Sequence, residues 1–398
     1  GSEGTFWFDH ADDWTAYGAN SLDAATAWNS LTLSSGSELS LEADSSLTLT
    51  DLMMESGSHM VAGDDTSLSI DALTLEASAS LEGSGLQISV GNTATLLGDA
   101  QIVADELTLS GGDWSLADTA AIEANLVADV TNLTVCADCA VTASGRGYTA
   151  GTGPGAPANA TGTNRSGSGG GHGGAGSDGY NNPSPGGSPY GEAFMPDTKG
   201  SGGGSCWGGG TGATGGGSLR IQVSGTLALA GDLLANGAHG VSCANAYYGS
   251  GGGSGGSIWI DAGILTASAG NRIQARGGSS GGSQTSRRGG GGGGGRIMIT
   301  AAAVSGDIDA ADWSVEGGLG RSNTSAESGT FWFNREGHWT AYGANNLSAP
   351  AAWNSLTVPS GSTLSLETDS SLTLTDLVMD PGARIVAADH YDLWAEPA

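Results

Sequence analysis

The sequence predicts an all-β protein, and more narrowly a parallel β-solenoid with glycine-rich excursions. Three observations support this: leucine alternates with serine or threonine, strand-like segments recur at fixed spacing, and 72 of the 398 residues are glycine. Alternation with a period of two is typical of half-buried strands. Long helices are not expected, because Lys199 is the only lysine and apolar residues do not recur at helical spacing.

The longest repeat is an internal duplication. The segment from Gly4 to Met54 returns without a gap as Gly329 to Met379, at an offset of 325 residues. We call these two segments the opening modules. The chain therefore holds one long repeat and the start of a second. The tryptophans of the first module, Trp7, Trp14 and Trp28, return as Trp332, Trp339 and Trp353.

Shorter repeats lie inside the long one. Strand-like segments starting at Ser218, Ser257 and Arg296 are 39 residues apart, and leucine-rich segments before residue 145 recur about every twenty residues, a length typical of stacked β-repeats. A β-sandwich of short antiparallel strands is the alternative. The translational spacing and the scarcity of Asn-Gly hairpin dipeptides favour the solenoid.

The repeats divide the chain into four segments: a Trp-rich opening with solenoid rungs (1–145), a glycine-rich excursion (146–217), solenoid units with glycine-rich insertions (218–328), and a partial second copy of the opening (329–398). The glycine stretches are either flexible linkers or bundles of polyglycine II helices, which have three residues per turn and hydrogen-bond to one another. Regular insertion sites and interspersed aromatic residues favour the ordered bundles. Collagen is excluded, because strict Gly-X-Y is absent.

The charge and the cysteine content restrict partners and compartment. A formal net charge of −29 disfavours nucleic acid and anionic membranes as partners, and no apolar run is long enough to span a bilayer. Four cysteines and five Asn-X-Ser/Thr sequons favour an extracellular or cell-surface glycoprotein. The sequons are Asn132, Asn159, Asn164, Asn323 and Asn346.

The cysteines form two groups. Cys206 and Cys243 flank one 39-residue unit, and a disulfide between them would tie the excursions together. Cys136 and Cys139 form a CxxC pair that admits a local disulfide, a redox pair or a metal site. Zinc is disfavoured, because there is no second CxxC and no nearby histidine.

The residue pattern predicts no enzyme. Asp178 lies in one match to a calcium-binding nonapeptide, Gly173 to Asn181, so calcium is the one cofactor considered. One copy cannot complete such a site, since each ion needs two neighbouring turns. The acid pair Asp12-Asp13 is replaced by Gly337-His338 in the second module, so the repeat does not retain it.

The six tryptophans of the opening modules have two interpretations. Exposed aromatic faces stack on sugars, which would make Trp7, Trp14, Trp28, Trp332, Trp339 and Trp353 a carbohydrate platform. Alternatively they pack between repeats, because a module boundary needs a large buried surface. Their recurrence at the module boundary favours packing.

The glycine-strand junctions at 215–227, 255–260 and 294–300 resemble those of glycine-rich giant secreted repeat proteins of microbes, which serve as surface adhesins or matrix components. The leucine-rich rungs are similar to the β-helices of filamentous adhesins. The glycine tracts are similar to polyglycine domains of phage tail-tip adhesins and of one receptor tyrosine kinase family. These resemblances imply no functional residue.

The expected function is structural: a repeat unit of an extracellular filament, sheath or giant adhesin whose repeats stack head to tail, with the chain itself as its partner. A carbohydrate-binding adhesin that uses exposed tryptophan and tyrosine to bind cell-surface glycans is the alternative. A polysaccharide-degrading β-helix enzyme is a distant third.

Overall fold

The computed structural model describes residues 6–22, 26–306, 313–347, 351–368, 370–387 and 393–395. Within these ranges the chain forms 27 strands, and its only helical segments are two single 3-10 turns, at Thr285–Arg287 and Arg321–Asn323. The prediction of an all-β protein is confirmed.

The strands range from two residues (β20) to seventeen (β9), and most alternate buried and exposed residues as the sequence pattern requires. In chain order they are β1 Phe6–His10, β2 Asp13–Tyr17, β3 Ala19–Leu22, β4 Thr26–Leu33, β5 Glu38–Leu41, β6 Ser46–Met54, β7 His59–Ala62, β8 Thr66–Leu75, β9 Ser80–Leu96, β10 Gln101–Ser110, β11 Asp113–Leu116, β12 Ala121–Val130, β13 Asn132–Val135, β14 Ala140–Thr142, β15 Ser218–Leu229, β16 Asp232–Leu234, β17 Ser257–Ala267, β18 Arg272–Gln274, β19 Arg296–Gly306, β20 Trp313–Ser314, β21 Thr330–Arg335, β22 His338–Leu347, β23 Ala351–Val358, β24 Thr363–Leu366, β25 Leu372–Met379, β26 Arg384–Ala387 and β27 Leu393–Ala395.

Between β2 and β19 the strands pair in parallel, each with a strand from a later stretch of the chain. Leu31 lies opposite Leu52, and Leu52 lies opposite Leu73, so residues 21 apart share a register. At the later levels the offset changes, for example to 39 residues between Leu219 and Ile258, but apolar residues remain opposite one another, so the inward-facing side chains stack. Those side chains are buried and form one continuous core that reaches from the first opening module to β21.

The core is built from three parallel columns of apolar side chains. Their members, in stacking order, are Leu86, Leu107, Leu126, Leu219, Ile258, Ile297 and Phe331 in the first; Leu31, Leu52, Leu73, Ala94, Trp114, Leu133, Leu227, Leu265 and Val304 in the second; and Leu39, Met60, Leu81, Ile102, Ile122, Val141, Leu233, Ile273 and Trp313 in the third.

The long glycine-rich segment leaves this stack and returns to the next level. Leu126 of β12 lies opposite Leu219 of β15, although β13, β14 and the glycine-rich residues 146–217 separate the two strands in sequence. Ser218, Ser257 and Arg296 occupy equivalent positions on β15, β17 and β19, so the 39-residue spacing also appears as register. Each glycine-rich segment therefore adds residues outside the stack without shifting the strands.

The glycine-rich segments lie outside the strands and bond to one another through their backbones. Segments 167–170, 249–255 and 290–293 exchange N–H···O bonds of 2.8 to 3.0 Å at three-residue intervals. The donors and acceptors are Gly167 to Gly249, Gly170 to Gly252, Gly252 to Gly290, Gly255 to Gly293, Gly290 to Gly167 and Gly293 to Gly170. The packing requires glycine, because a Cβ atom on Gly251 would lie 1.9 Å from the carbonyl oxygen of Ser168.

Each opening module begins with an antiparallel hairpin, which a purely parallel stack does not predict. β1 pairs with β2, and β21 pairs with β22. The first hairpin turns through Ala11 and Asp12, both with positive φ (59° and 66°), as a two-residue hairpin loop requires. In the second copy Glu336 and Gly337 take the same place, again with positive φ.

Candidate functional site

The tryptophans of the first opening module form one cluster at the start of the stack. The rings of Trp14 and Trp28 stack with centroids 4.9 Å apart, and Trp7 meets them edge-on at 5.9 and 5.7 Å. All three are half-buried and pack against the main core. The hairpin and β4 bring them together, because the three strands pair in the order β1, β2, β4.

The second opening module repeats this cluster and adds a fourth ring. Trp339 and Trp353 stack at 4.7 Å, with Trp332 at 6.0 and 5.5 Å. Phe194, from the glycine-rich segment, lies 5.1 Å from Trp332 and 5.6 Å from Trp339. No equivalent of Phe194 contacts the first cluster within the described part of the chain.

The two copies of the module differ most in what lies against their first strand. β21 pairs in parallel with β19, which places Phe331 opposite Ile297 and Phe333 opposite Ile299. β1 pairs only with β2 among the described strands. As a result Phe8 is 52% exposed, whereas its counterpart Phe333 is 8% exposed. The outer edge of the first strand is therefore covered in the second opening module and open in the first.

A buried polar cluster holds the segment that carries Phe194. The guanidinium of Arg296 donates from Nε to the carbonyl oxygen of Tyr190 (2.9 Å) and from a terminal nitrogen to Thr330 Oγ1 (3.0 Å). Arg296 thereby links the glycine-rich segment, β19 and β21 at one point. Burial lowers the pKa of Arg296 and raises that of Tyr190 to about 12.

His172 is the most enclosed ionisable side chain of this region. Its Nδ1 lies 2.9 Å from the carbonyl oxygen of Gly255, and its Nε2 lies 2.9 Å from Thr198 Oγ1. Its ring lies against the ring of Tyr190, with centroids 4.8 Å apart. Burial, with a contribution from nearby Arg296, lowers its pKa to about 3. His172 is therefore a neutral packing residue at physiological pH.

The four cysteines form two disulfides, Cys136–Cys139 and Cys206–Cys243. The first joins the two ends of a tight turn between β13 and β14. The second joins two glycine-rich segments and packs with buried Tyr248.

The five sequons fall into two groups by the state of the amide nitrogen. Nδ2 of Asn132 donates to Asp113 (2.8 Å), and Nδ2 of Asn346 donates to Glu367 (3.0 Å). Among the described contacts, Nδ2 of the remaining three, Asn159, Asn164 and Asn323, donates no hydrogen bond, and all three are exposed, as Asn346 is. These three are the better-placed glycosylation candidates, because a glycan attaches at Nδ2 and needs space around it.

The predicted calcium ligand and acid pair lie on the surface. Asp178 is exposed, and its Oδ1 accepts a hydrogen bond from the amide of Gly186 (2.8 Å). Among the described residues, no three His, Cys, Asp or Glu side chains gather as a metal site would require. Hydrogen bonds from Asn29 and Ser30 lower the pKa of Asp13, whereas a general acid needs a raised pKa.

Comparison with known proteins gives no relative: no family model matches this chain, and no curated protein or solved structure matches it at a significant level. Among the described residues, no helix has the length and apolar character needed to cross a membrane.

Phe194 and Arg296 are the residues of this site that the sequence interpretation missed. One signal was available: Phe194 is the only one of five phenylalanines outside the opening modules. A large apolar residue in a glycine-rich tract needs a packing partner. Its partners could not be named, because they lie more than 130 residues away in sequence.

Proposed function

We propose that this protein is a structural repeat protein of an extracellular filament, sheath or giant cell-surface adhesin, and that its repeats stack head to tail. In this proposal the strands form a parallel β-solenoid, and the glycine-rich segments form a polyglycine II bundle on its side. The protein supplies length and a regular surface rather than a reactive cleft.

The solenoid interpretation is supported by the parallel register that places apolar residues opposite one another at every level of the three core columns. The offset of 21 residues between Leu31, Leu52 and Leu73 is the chain length that one coil would take at that part of the stack. Backbone bonds at three-residue intervals support the polyglycine II interpretation, because that helix has three residues per turn and no internal hydrogen bonds. The two disulfides favour an oxidising compartment.

The observation that supports stacking most directly is the pair of opening modules. The covered module shows what precedes such a module: a strand of the β19 type in parallel pairing, and an aromatic ring in the position of Phe194. The open module presents the same strand and the same tryptophan cluster without that cover. A preceding repeat would cover it in the same way and extend the ladder.

A chain with one added repeat tests this proposal. Residues 4–328 would be inserted ahead of residue 4, giving two full repeats and the partial third. Eleven strand pairings lead from β1 to its copy β21, so at about 4.8 Å per pairing the particle should lengthen by about 50 Å. Small-angle scattering and negative-stain microscopy measure that length.

The same chain gives a local readout. The fluorine resonance of the inner Trp7, in 5-fluorotryptophan-labelled protein, should shift towards that of Trp332 and lose its sensitivity to a soluble paramagnet. Phe194→Ala in the added repeat alone is the matched control and should restore part of that sensitivity. Two repeats that tumble independently, with an inner Trp7 as accessible as the outer one, would refute head-to-tail stacking.

A carbohydrate-binding adhesin is the second candidate, and the exposure of Phe8 (52%) and Tyr17 (43%) at the open edge favours it. These rings would offer a face for sugar stacking beside the first tryptophan cluster. A glycan array with the Phe8→Ala and Tyr17→Ala variants tests this. Glycan binding that both substitutions abolish would support an adhesin. If the unmodified protein retains no glycan on the array, this surface is not a carbohydrate-binding site.

A further inference from the structure

A group of arginine and tyrosine side chains from the glycine-rich segments and from the 3-10 turn Arg321–Asn323 lies together. The guanidinium carbon of Arg287 lies 5.9 Å from the ring centroids of both Tyr180 and Tyr248, and that of Arg321 lies 5.4 Å from Tyr180. Arg288 donates to Asn323 Oδ1 at 3.2 Å. We call Tyr180, Tyr248, Arg287, Arg288 and Arg321 the Arg–Tyr cluster.

The backbone around this cluster is firmly held although it lies outside the strands. The amide of Tyr180 donates to the carbonyl oxygen of Arg288, and Ser166 Oγ donates to that of Arg287 (2.6 Å). The Cys206–Cys243 disulfide packs against Tyr248. The side chains are therefore positioned before any ligand arrives, which reduces the entropy lost on binding.

The cluster concentrates positive charge on a strongly acidic protein. The chain has 12 basic against 41 acidic residues. Six ion pairs join described residues, and the arginines of the cluster take part in none of them. Their contacts are tyrosine rings, a tyrosine hydroxyl, the carbonyl oxygen of Gly282 and an asparagine amide oxygen, none of which carries negative charge. The guanidinium groups of the cluster lie against tyrosine rings, but no carboxylate contact neutralises their charge among the described residues.

Exposed aromatic rings border the charged groups. Tyr247, next to Tyr248, is 54% exposed, and Trp207, next to Cys206, is 38% exposed. The amide of Trp207 donates to the carbonyl oxygen of Arg165 (3.1 Å), which brings another arginine to the same end. Planar guanidinium groups suit the two oxygens of a carboxylate, and flat aromatic faces suit the C–H face of a sugar ring.

We propose that the Arg–Tyr cluster, with Tyr247 and Trp207, binds short acidic oligosaccharides, through a carboxylated sugar held by Arg287 and Arg321. A short ligand fits the charge distribution better than a long polyanion. The Debye length is about 8 Å at physiological salt, so a short chain avoids the acidic flanks that would repel a longer one. This site is separate from the stacking surfaces and does not depend on the proposed structural function.

The full chain and trigalacturonate, a trimer of a uronic acid, provide the test. Titration in 150 mM salt by isothermal calorimetry should show saturable binding, with a Kd of about 1 mM or tighter. The neutral trimer maltotriose should bind at least about tenfold more weakly, because it offers the arginines no carboxylate. Inorganic sulfate should compete only weakly, since it lacks the ring that stacks on the aromatic residues.

Charge-matched variants locate the site. Arg287→Gln with Arg321→Gln should raise the Kd for trigalacturonate by about tenfold or more, as expected for loss of charge-assisted hydrogen bonds. Arg276→Gln with Arg384→Gln removes the same charge elsewhere and should change the Kd less than about twofold. Arg321→Gln alone serves if the double variant folds poorly, because Arg321 is exposed. Tyr247→Ala should also weaken binding.

Three results would overturn the proposal: no saturable binding of trigalacturonate, equal losses in the cluster and control variants, or equal affinity for maltotriose. Self-association at low salt that the cluster variant abolishes, without sugar binding, would overturn it as well. That result would instead indicate that the cluster binds acidic residues on the flank of a second copy of the chain.

Discussion

Acidification should destabilise this protein through His172, even though no cleft or catalytic group is involved. A carbonyl oxygen can only accept, so the 2.9 Å contact with Gly255 requires that Nδ1 carries the proton. Nε2 then accepts from the hydroxyl of Thr198. Protonation would place a charge at a fully enclosed position near the buried Arg296, and would force that hydroxyl to turn away.

The size of the effect follows from the two pKa values. The pKa of His172 falls from its ordinary 6.5 to about 3 in the folded protein, chiefly because burial disfavours the charged form. The unfolded chain binds a proton below pH 6.5 while the folded chain does not, so the contribution is complete above that pH and is lost as the pH falls towards 3. At pH 5 the loss is about 2 kcal/mol, since one pH unit corresponds to 1.36 kcal/mol.

Urea unfolding at pH 7.5 and pH 5.0 measures this loss, with His172→Gln as the matched control. Glutamine removes the titrating group, so the variant should be less stable at both pH values but should lose about 2 kcal/mol less on acidification. The difference between the two pH dependences isolates His172 from the many surface carboxylates. Equal pH dependence in both proteins, or an imidazole that titrates near pH 6.5 by NMR, would show that the ring is not enclosed.

Three further outcomes follow from the packing. Phe194→Ala should speed amide exchange in β22 and β23 by an amount equivalent to about 2 kcal/mol, the worth of a half-buried aromatic ring, while β2 and β4 stay unchanged as an internal control. Gly251→Ala should destabilise the packing of the glycine-rich segments by about 2 kcal/mol or more in urea unfolding, and Gly204→Ala by less, because the atom nearest to a Cβ there is 3.2 Å away. Replacing Cys206 and Cys243 by serine should cost about 4 kcal/mol of global stability for a separation of 37 residues, and an unchanged urea midpoint would contradict the chain-entropy argument.

Local pattern predicted the strands well, because burial in a strand depends on every second residue. The run Ser46 to Met54 alternates leucine with serine or threonine in its first half, and its three leucines and Met54 are the buried residues. The fixed spacing of Ser218, Ser257 and Arg296 likewise appears as direct pairing between their strands. Such features depend on neighbouring residues or on a fixed repeat spacing, so they can be predicted from the sequence.

The hairpins and the long-range partners could not be read in the same way. The turn at Ala11 and Asp12 lacks the Asn-Gly or Asp-Gly signature of a two-residue loop, and only the second copy, with Gly337, hints at it. The contact between Phe194 and the second tryptophan cluster depends on how a glycine-rich segment folds back. That path is set by many backbone hydrogen bonds, and these leave no pattern of side chains in the sequence from which they could be predicted.

The distribution of charge bears on how the proposed stacking would stay one-dimensional. Exposed carboxylates are spread along the flanks of the strand stack, at Asp51, Asp71, Asp99 and Asp118 among others. The open edge of β1 instead presents the apolar Phe8 beside the first tryptophan cluster. Like charges oppose side-by-side contact, whereas a strand with one edge uncovered by the described strands and an exposed apolar side chain favours contact at the end. In the proposed filament, the negative charge of the flanks would therefore favour growth along the stack over lateral aggregation.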